Sequence, residues 1–200
     1  FIPIALGVLK NPFARLAARL LEKIVYFNSA RVVALSPGMV EGILKTGYPP
    51  KKVVLIPNSC DNSLFRSPEV DGNDFRKKFP WLEHRPLVIY CGTLGEANGV
   101  DYLVHVATEM QNLNESVRFA VIGNGKMEQS IREQATIKGV LNKNFFMLPE
   151  IPKSSMPSIF AAADIVTSLF IDQPALWSNS ANKAFDAMAA AKPLLVNHRG

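Results

Sequence analysis

Short apolar runs rich in β-branched and aromatic residues alternate along the chain with segments whose apolar residues recur at helical spacing. Successive strand–helix units of a parallel sheet produce that alternation, because the strands are covered on both faces while each helix buries one stripe. Residues 31–35 (RVVAL) and 53–56 (VVLI) read as two strands around a helix at about 37–46, opened by Pro37 behind Ser36 as its cap. Five further strands are predicted at 87–91, 117–122, 145–148, 165–169 and 194–197, with helices between them at about 100–112, 126–138, 155–163 and 181–190. Five strands joined by four crossovers make a doubly wound α/β sheet. Within 56–65, Pro57 interrupts a strand ladder while Asn58, Asp61 and Asn62 favour turns. The chain therefore divides into the end of one domain at 1–57, a linker at 58–66 and a second domain at 67–200, and both ends read as cuts from a longer protein.

An amphipathic helix is predicted at 12–28. It puts Phe13, Leu16, Ala17, Leu20, Leu21, Ile24 and Phe27 on one side and Arg15, Arg19, Glu22 and Lys23 on the other. The plain expectation is that its apolar side packs on the sheet of its own domain. The sharper alternative is that its basic face rests on an anionic membrane surface.

Composition adds limits rather than identity. A hydrophobic share of 48% with 20% charged residues fits a folded, water-soluble body. Lys10, Arg15, Arg19 and Asp164 break every apolar run short of the roughly 18 to 20 residues a membrane span needs. The opening FIPIALGVL has no charged leader and reads as core rather than as a signal peptide. Two cysteines, Cys60 and Cys91, cannot frame a disulfide scaffold and are expected as buried free thiols, with the cytoplasm as the default compartment. Residues 1–60 carry eight Lys or Arg against two Glu, so the net charge of +5 resides in the first part and favours an anionic partner there.

In an open parallel sheet, ligands bind beyond the carboxyl ends of the strands, so the following loops hold the candidate chemistry. The segment GTLGEANG follows Cys91, and its Gly92, Gly95 and Gly99 permit close approach to a bulky anion. After Ile122 comes GNGK (Gly123, Asn124, Gly125), which lacks the full spacing and the following acid of a dinucleotide fingerprint, so a nicotinamide cofactor is disfavoured. A third loop collects Ser178, Asn179, Ser180, Asn182 and Lys183 at a helix start, with Ser180 as cap and outward amides suited to a diphosphate. Asp186, one turn beyond Lys183 on the same face, can accept hydrogen bonds from sugar hydroxyls; the bland reading makes the two a solvated surface pair. His84, His105 and His198 are isolated and form no metal set, and His105 is the one expected to be partly buried.

Four stretches in order carry a family resemblance: VVLIPNSCDNSLF, VIYCGTLGEANGVDYLVHVA, FAVIGNGKMEQSIRE and SNSANKAFDAMAAAKP, with ALSPGMVEGIL ahead of them. Together they resemble the family-4 retaining glycosyltransferases of the GT-B fold, two facing Rossmann-like domains with the donor held mostly by the second. The wording of the last stretch is closest to bacterial transferases that build O-antigen or capsule on a lipid carrier. The resemblance implies a fragment holding most of a donor domain, truncated at its carboxyl end and inactive alone.

Carried over by position, it places Asp186 at the ribose, Asn182 and Lys183 at the diphosphate, and Pro149, Glu150 and Ile151 near the base. The loop residues Gly92, Thr93, Leu94, Gly95, Gly123, Asn124 and Gly125 line the donor, with Ser178, Asn179 and Ser180 beside them. Ser178 stands in place of the family's first Glu, Thr93 and Asn98 in place of its phosphate-binding Arg and Lys, and Ala191 in place of a customary Gly. Lys183 is expected to supply the missing positive charge.

The implied activity is retaining transfer from a nucleotide-sugar donor, a UDP-sugar first, to a lipid-linked saccharide acceptor, with no obligatory metal and no cofactor. The protein would work in the cytoplasm, peripheral on the inner membrane face. A sugar-nucleotide 2-epimerase of related fold and a non-catalytic donor-binding fragment are the alternatives. Nucleic acid is not an expected partner, since no aromatic residues are interleaved on the basic face of the 12–28 helix.

Overall fold

The computed structural model describes residues 4, 7, 9–65 and 70–198. The opening run read as core lies largely outside them. The chain forms two compact units: residues 1–58 with 172–181 and 198–200, and residues 59–171 with 182–197. Segment 172–181, expected inside the second domain, belongs to the first unit. There Ser36 Oγ donates to Ser178 O (2.5 Å) and Asn58 Nδ2 donates to Ser180 O (2.7 Å).

The first unit contains helix α1 (Pro12–Phe27), strand β1 (Val32–Ala34), helix α2 (Pro37–Leu44) and strand β2 (Val53–Leu55). The strands pair in parallel, Val32 opposite Val53. Ser36 caps α2 as expected, its hydroxyl accepting from the Met39 amide at 3.2 Å. Asn11 caps α1 in the same way, accepting from Phe13 N at 2.8 Å. A small core of Ala34, Ile43 and Tyr48 holds this unit.

Helix α1 departs from the plain expectation. None of its residues is buried, and Phe13 is 80% and Leu21 62% exposed. The apolar stripe does not pack on the sheet of its own unit. Phe27 does reach the Tyr48 ring edge-on, at 5.7 Å between centroids.

The second unit adds helices α3 (Asn62–Phe65) and α4 (Asn73–Lys78), then strand β3 (Leu87–Cys91), helix α5 (Asp101–Leu113), strand β4 (Arg118–Ile122), helix α6 (Glu128–Ile137) and strand β5 (Phe145–Leu148). Helix α7 (Met156–Ala162), strand β6 (Ile165–Ser168), helix α8 (Asn182–Ala189) and strand β7 (Leu194–Val196) complete it. All five strands are parallel, in the order β5-β4-β3-β6-β7. The order reverses beside β3, which is where a doubly wound sheet opens a ligand crevice.

Both faces of the sheet are covered, and the strand alternation shows it. In β3, Val88 and Tyr90 enter one core with Leu103, Val104 and Ala107 of α5, whereas Leu87, Ile89 and Cys91 enter the other with Phe160 of α7 and Ala187 of α8. In α5, Leu103, Val104 and Ala107 face inward, so His105 turns outward and is exposed rather than partly buried. Of the two thiols, Cys91 is buried, while Cys60 is only half-buried. Asp164 anchors the start of β3 by accepting from Leu87 N (2.7 Å) and pairing with Arg76 (3.3 Å). Among the described residues no helix is long and apolar enough to cross a membrane.

Helix α8 ends in a left-handed turn at Ala191, φ +52°, with Lys192 N bonded to Ala187 O and Ala191 N to Met188 O, both at 3.0 Å. This is the helix-terminal motif in which glycine is favoured, because a Cβ is strained at positive φ. Ala191→Gly is therefore expected to stabilise the protein by roughly 1 kcal/mol, read as a higher urea midpoint with an unchanged m-value.

Candidate functional site

The carboxyl ends of β3 and β4 run into two glycine loops that lock together through their backbones. Gly92 N donates to Ile122 O (2.9 Å), Leu94 N to Asn124 O (2.7 Å) and Met127 N to Leu94 O (2.9 Å). A Cβ on Gly123 would overlap the Gly92 carbonyl oxygen, and one on Gly125 would meet Leu94 O at 2.5 Å. Gly123 and Gly125 thus let the two loops pack against each other, backbone to backbone. The Leu94 side chain is buried in the core against α5, so only its backbone faces the loops. The Thr93 carbonyl accepts from Tyr90 Oη (2.8 Å) and Asn98 Nδ2 (2.6 Å), and Glu96 ties its loop to the next through Lys126 (2.6 Å).

Above this floor stands the first turn of α8. The helix begins at Asn182, one residue later than a Ser180 cap would start it. Lys183 extends over β3, its ammonium 5.2 Å from the Tyr90 ring centroid, a distance at which the ring face attracts a cation. A Cβ on Gly92 would lie 2.5 Å from Lys183 Cε and 3.1 Å from its Nζ. Gly92 is therefore the residue that lets the lysine lie flat on its loop. Lys183 makes no salt bridge among the described residues.

One turn further along α8, Asp186 is 5% exposed and its Oδ1 has no hydrogen-bond partner among the described residues. A buried carboxylate oxygen left unpaired is costly. The solvated-pair reading of Lys183 and Asp186 is thereby set aside.

The electrostatics agree. Burial lowers the Lys183 pKa, opposed by the neighbouring Cys91 and Asp186. Burial raises the Asp186 carboxyl, opposed by Lys153 and Lys183. Cys91 beneath them is pushed up to about 11 by burial, which leaves it a neutral thiol at physiological pH. The site thus holds a partly desolvated cation and a partly desolvated carboxylate. An anionic ligand would favour the charged form of the former, and hydroxyl donors that of the latter.

Beyond β5, Pro149 and Ile151 line a mainly apolar cavity of about 450 Å³ together with Phe75, Phe79, Ile122 and Leu148, whereas Glu150 is exposed. Ser178, Asn179 and Ser180 belong to the first unit, and the backbone carbonyls of the two serines are taken by Ser36 and Asn58. The second unit therefore brings together Gly92, Asn182, Lys183 and Asp186 without those three residues. Sequence reasoning missed Tyr90 as the platform for Lys183; its place two residues before Gly92 in a continuous apolar strand carried no polar signal.

Residues 71–200 match the family described as Glycosyl transferases group 1. Among curated proteins, the chain is 22% identical over 138 residues to WcaI of Escherichia coli (strain K12), named as a colanic acid biosynthesis glycosyl transferase, covering 68% of this chain and 33% of that protein. It is 24% identical over 194 residues to WbjE of Pseudomonas aeruginosa, named as a glycosyltransferase, covering 95% of this chain and 46% of that one. The chain thus spans less than half the length of these relatives. Among solved structures, HepE of Anabaena in complex with UDP superimposes with a TM-score of 0.72 at 17% identity, over 86% of this chain and 46% of that one. The same protein is also known with UDP-glucose. The structural neighbours share the GT-B architecture of Rossmann-like α/β domains.

Proposed function

We propose, starting from the fact that this chain belongs to the group 1 glycosyl transferases, that its second unit holds the nucleoside diphosphate of a sugar donor at Lys183 and Asp186. The carrying observation is the buried Asp186 oxygen that has no hydrogen-bond partner among the described residues, set one helical turn from a lysine that makes no salt bridge among them. In this reading Lys183 neutralises the diphosphate that departs as the sugar is transferred, and Asp186 accepts from the ribose hydroxyls. The amides at the start of α8 and the loop at Gly92 complete the cradle. The apolar cavity at Pro149 and Ile151 suits a flat base, uracil being favoured because UDP and UDP-glucose occupy the related HepE.

The reaction would proceed with retention at the anomeric carbon and without an obligatory metal, since protein groups stabilise the leaving diphosphate. The acceptor would be a lipid-linked saccharide in the synthesis of a bacterial surface polysaccharide. The exposed apolar face of α1, with Arg15, Arg19 and Lys23 beside it, would rest on an anionic membrane surface at the cytoplasmic side.

Calorimetry tests the donor assignment. UDP is expected to bind with the same affinity in excess EDTA as in millimolar magnesium, and binding that vanishes on chelation would overturn the metal-independent site.

A further inference from the structure

At the amino ends of the strands, away from the loops described above, the starts of β3, β4 and β5 lie side by side. Arg118 N donates to Pro86 O at 2.8 Å, and Phe119 N donates to Asn144 O at 2.7 Å. Here Arg85, Gln111, Glu115, Arg118, Lys143 and Asn144 line a pocket of about 260 Å³. That is below the ~300–1,000 Å³ of clefts that take drug-sized ligands, so its occupant must be small.

The pocket's charge is lopsided, with three cationic residues and one carboxylate residue, Glu115, in its lining. Arg118 is 8% exposed, and its guanidinium donates to the carbonyls of Trp81, Glu115, Ser116 and Val117, with no carboxylate partner among the described residues. Arg85 pairs through Nε with Glu83 at 2.9 Å, while Lys143 is exposed and makes no salt bridge among the described residues. A nearly buried guanidinium with no counter-charge favours an anion beside it.

A second, independent observation comes from Asn144. It is 2% exposed, its Nδ2 donates to Ala107 O at 2.7 Å, and its Oδ1 has no partner among the described residues. Oδ1 can only accept. The ligand that satisfies this pocket therefore carries negative charge for the cations and a hydroxyl proton for Asn144.

We propose that this pocket binds a phosphate group, either hydrogen phosphate itself or a small hydroxylated phosphate monoester, as an anion site separate from Lys183 and Asp186. The forked guanidinium and the ammonium supply charge-assisted hydrogen bonds to the phosphate oxygens. Asn144 selects for an oxyanion that still bears a hydroxyl, which disfavours chloride.

The test is an NMR titration of the intact protein, following the Asn144 side-chain amide while sodium phosphate or glycerol 3-phosphate is added at ionic strength matched with sodium chloride. A saturable shift with phosphate or the monoester, absent with chloride, is expected. The tighter of the two probes identifies the source. The double variant Arg85→Ala with Lys143→Ala should weaken binding at least about tenfold, and Lys143→Gln alone, an exposed substitution, should weaken it in the same direction. Lys183→Ala should leave the response intact. No saturable shift with either probe, a shift unmoved by the Arg85 and Lys143 variants, or a shift abolished by Lys183→Ala would overturn the proposal.

Discussion

Replacing Gly123 with alanine is expected to lower the stability of the protein by about 3 kcal/mol. The residue has φ +146°, where an L side chain is strained, and its Cβ would overlap the carbonyl oxygen of Gly92. Neither backbone can retreat freely, because Gly123 N is bonded to Leu148 O (3.2 Å) and Gly92 N to Ile122 O (2.9 Å). Opening the contact would break ladder bonds at the ends of β3 and β4, leaving buried backbone groups unpaired. Equilibrium urea unfolding measures the loss directly. A loss within about 0.5 kcal/mol, the range of ordinary surface substitutions, would mean that the two loops do not pack as described. The consequence extends to binding, since the loop displaced by the new methyl group is the one on which Lys183 lies.

Lys183→Ala is expected to weaken UDP affinity by a factor of roughly 10 to 100, the effect of removing a hydrogen-bonding charge from a partly desolvated site. Turnover of a nucleotide-sugar in the complete enzyme should fall with it, because charge on the leaving diphosphate grows as the sugar departs. Calorimetry and initial rates give both numbers, and unchanged values would remove Lys183 from the site.

A pH signature accompanies the loss. Burial lowers the Lys183 pKa in the free protein, and a bound diphosphate favours the ammonium and raises that pKa again. Between the two values the complex binds more protons than the free protein, so UDP binding takes up a proton and its affinity falls as pH rises through that window. Titrations in buffers of different ionisation enthalpy should show this uptake in the wild type and not in Lys183→Ala.

Much of this was legible in the residues alone, for identifiable reasons. Strand β3 and its neighbours are continuous apolar runs, since parallel strands buried on both faces have no polar face to blur the signal, and β3 and β5 occupy the expected 87–91 and 145–148. Lys183 and Asp186 were placed on one helical face by their spacing of three, and the structure keeps them there.

What escaped depended on partners distant in sequence. Helices α3 and α4 are short, and Phe65 and Phe75 are buried in a core shared with Ile159 and Phe160 of α7. Segment 172–181 joins the first unit through bonds from Ser36 and Asn58, more than a hundred residues earlier. The packing role of Gly123 is set by another loop, and no local pattern encodes a neighbour of that kind. The exposed stripe of α1 shows the converse: its periodicity correctly predicts a helix, yet an amphipathic pattern does not say what will cover it.

A crystal structure of the protein with UDP tests the central claim most directly. The account predicts diphosphate oxygens within hydrogen-bond distance of Lys183 Nζ beside Gly92, and a ribose hydroxyl donating to Asp186 Oδ1. Ordered UDP elsewhere on the second unit, with that carboxylate oxygen still buried and unbonded, would contradict it.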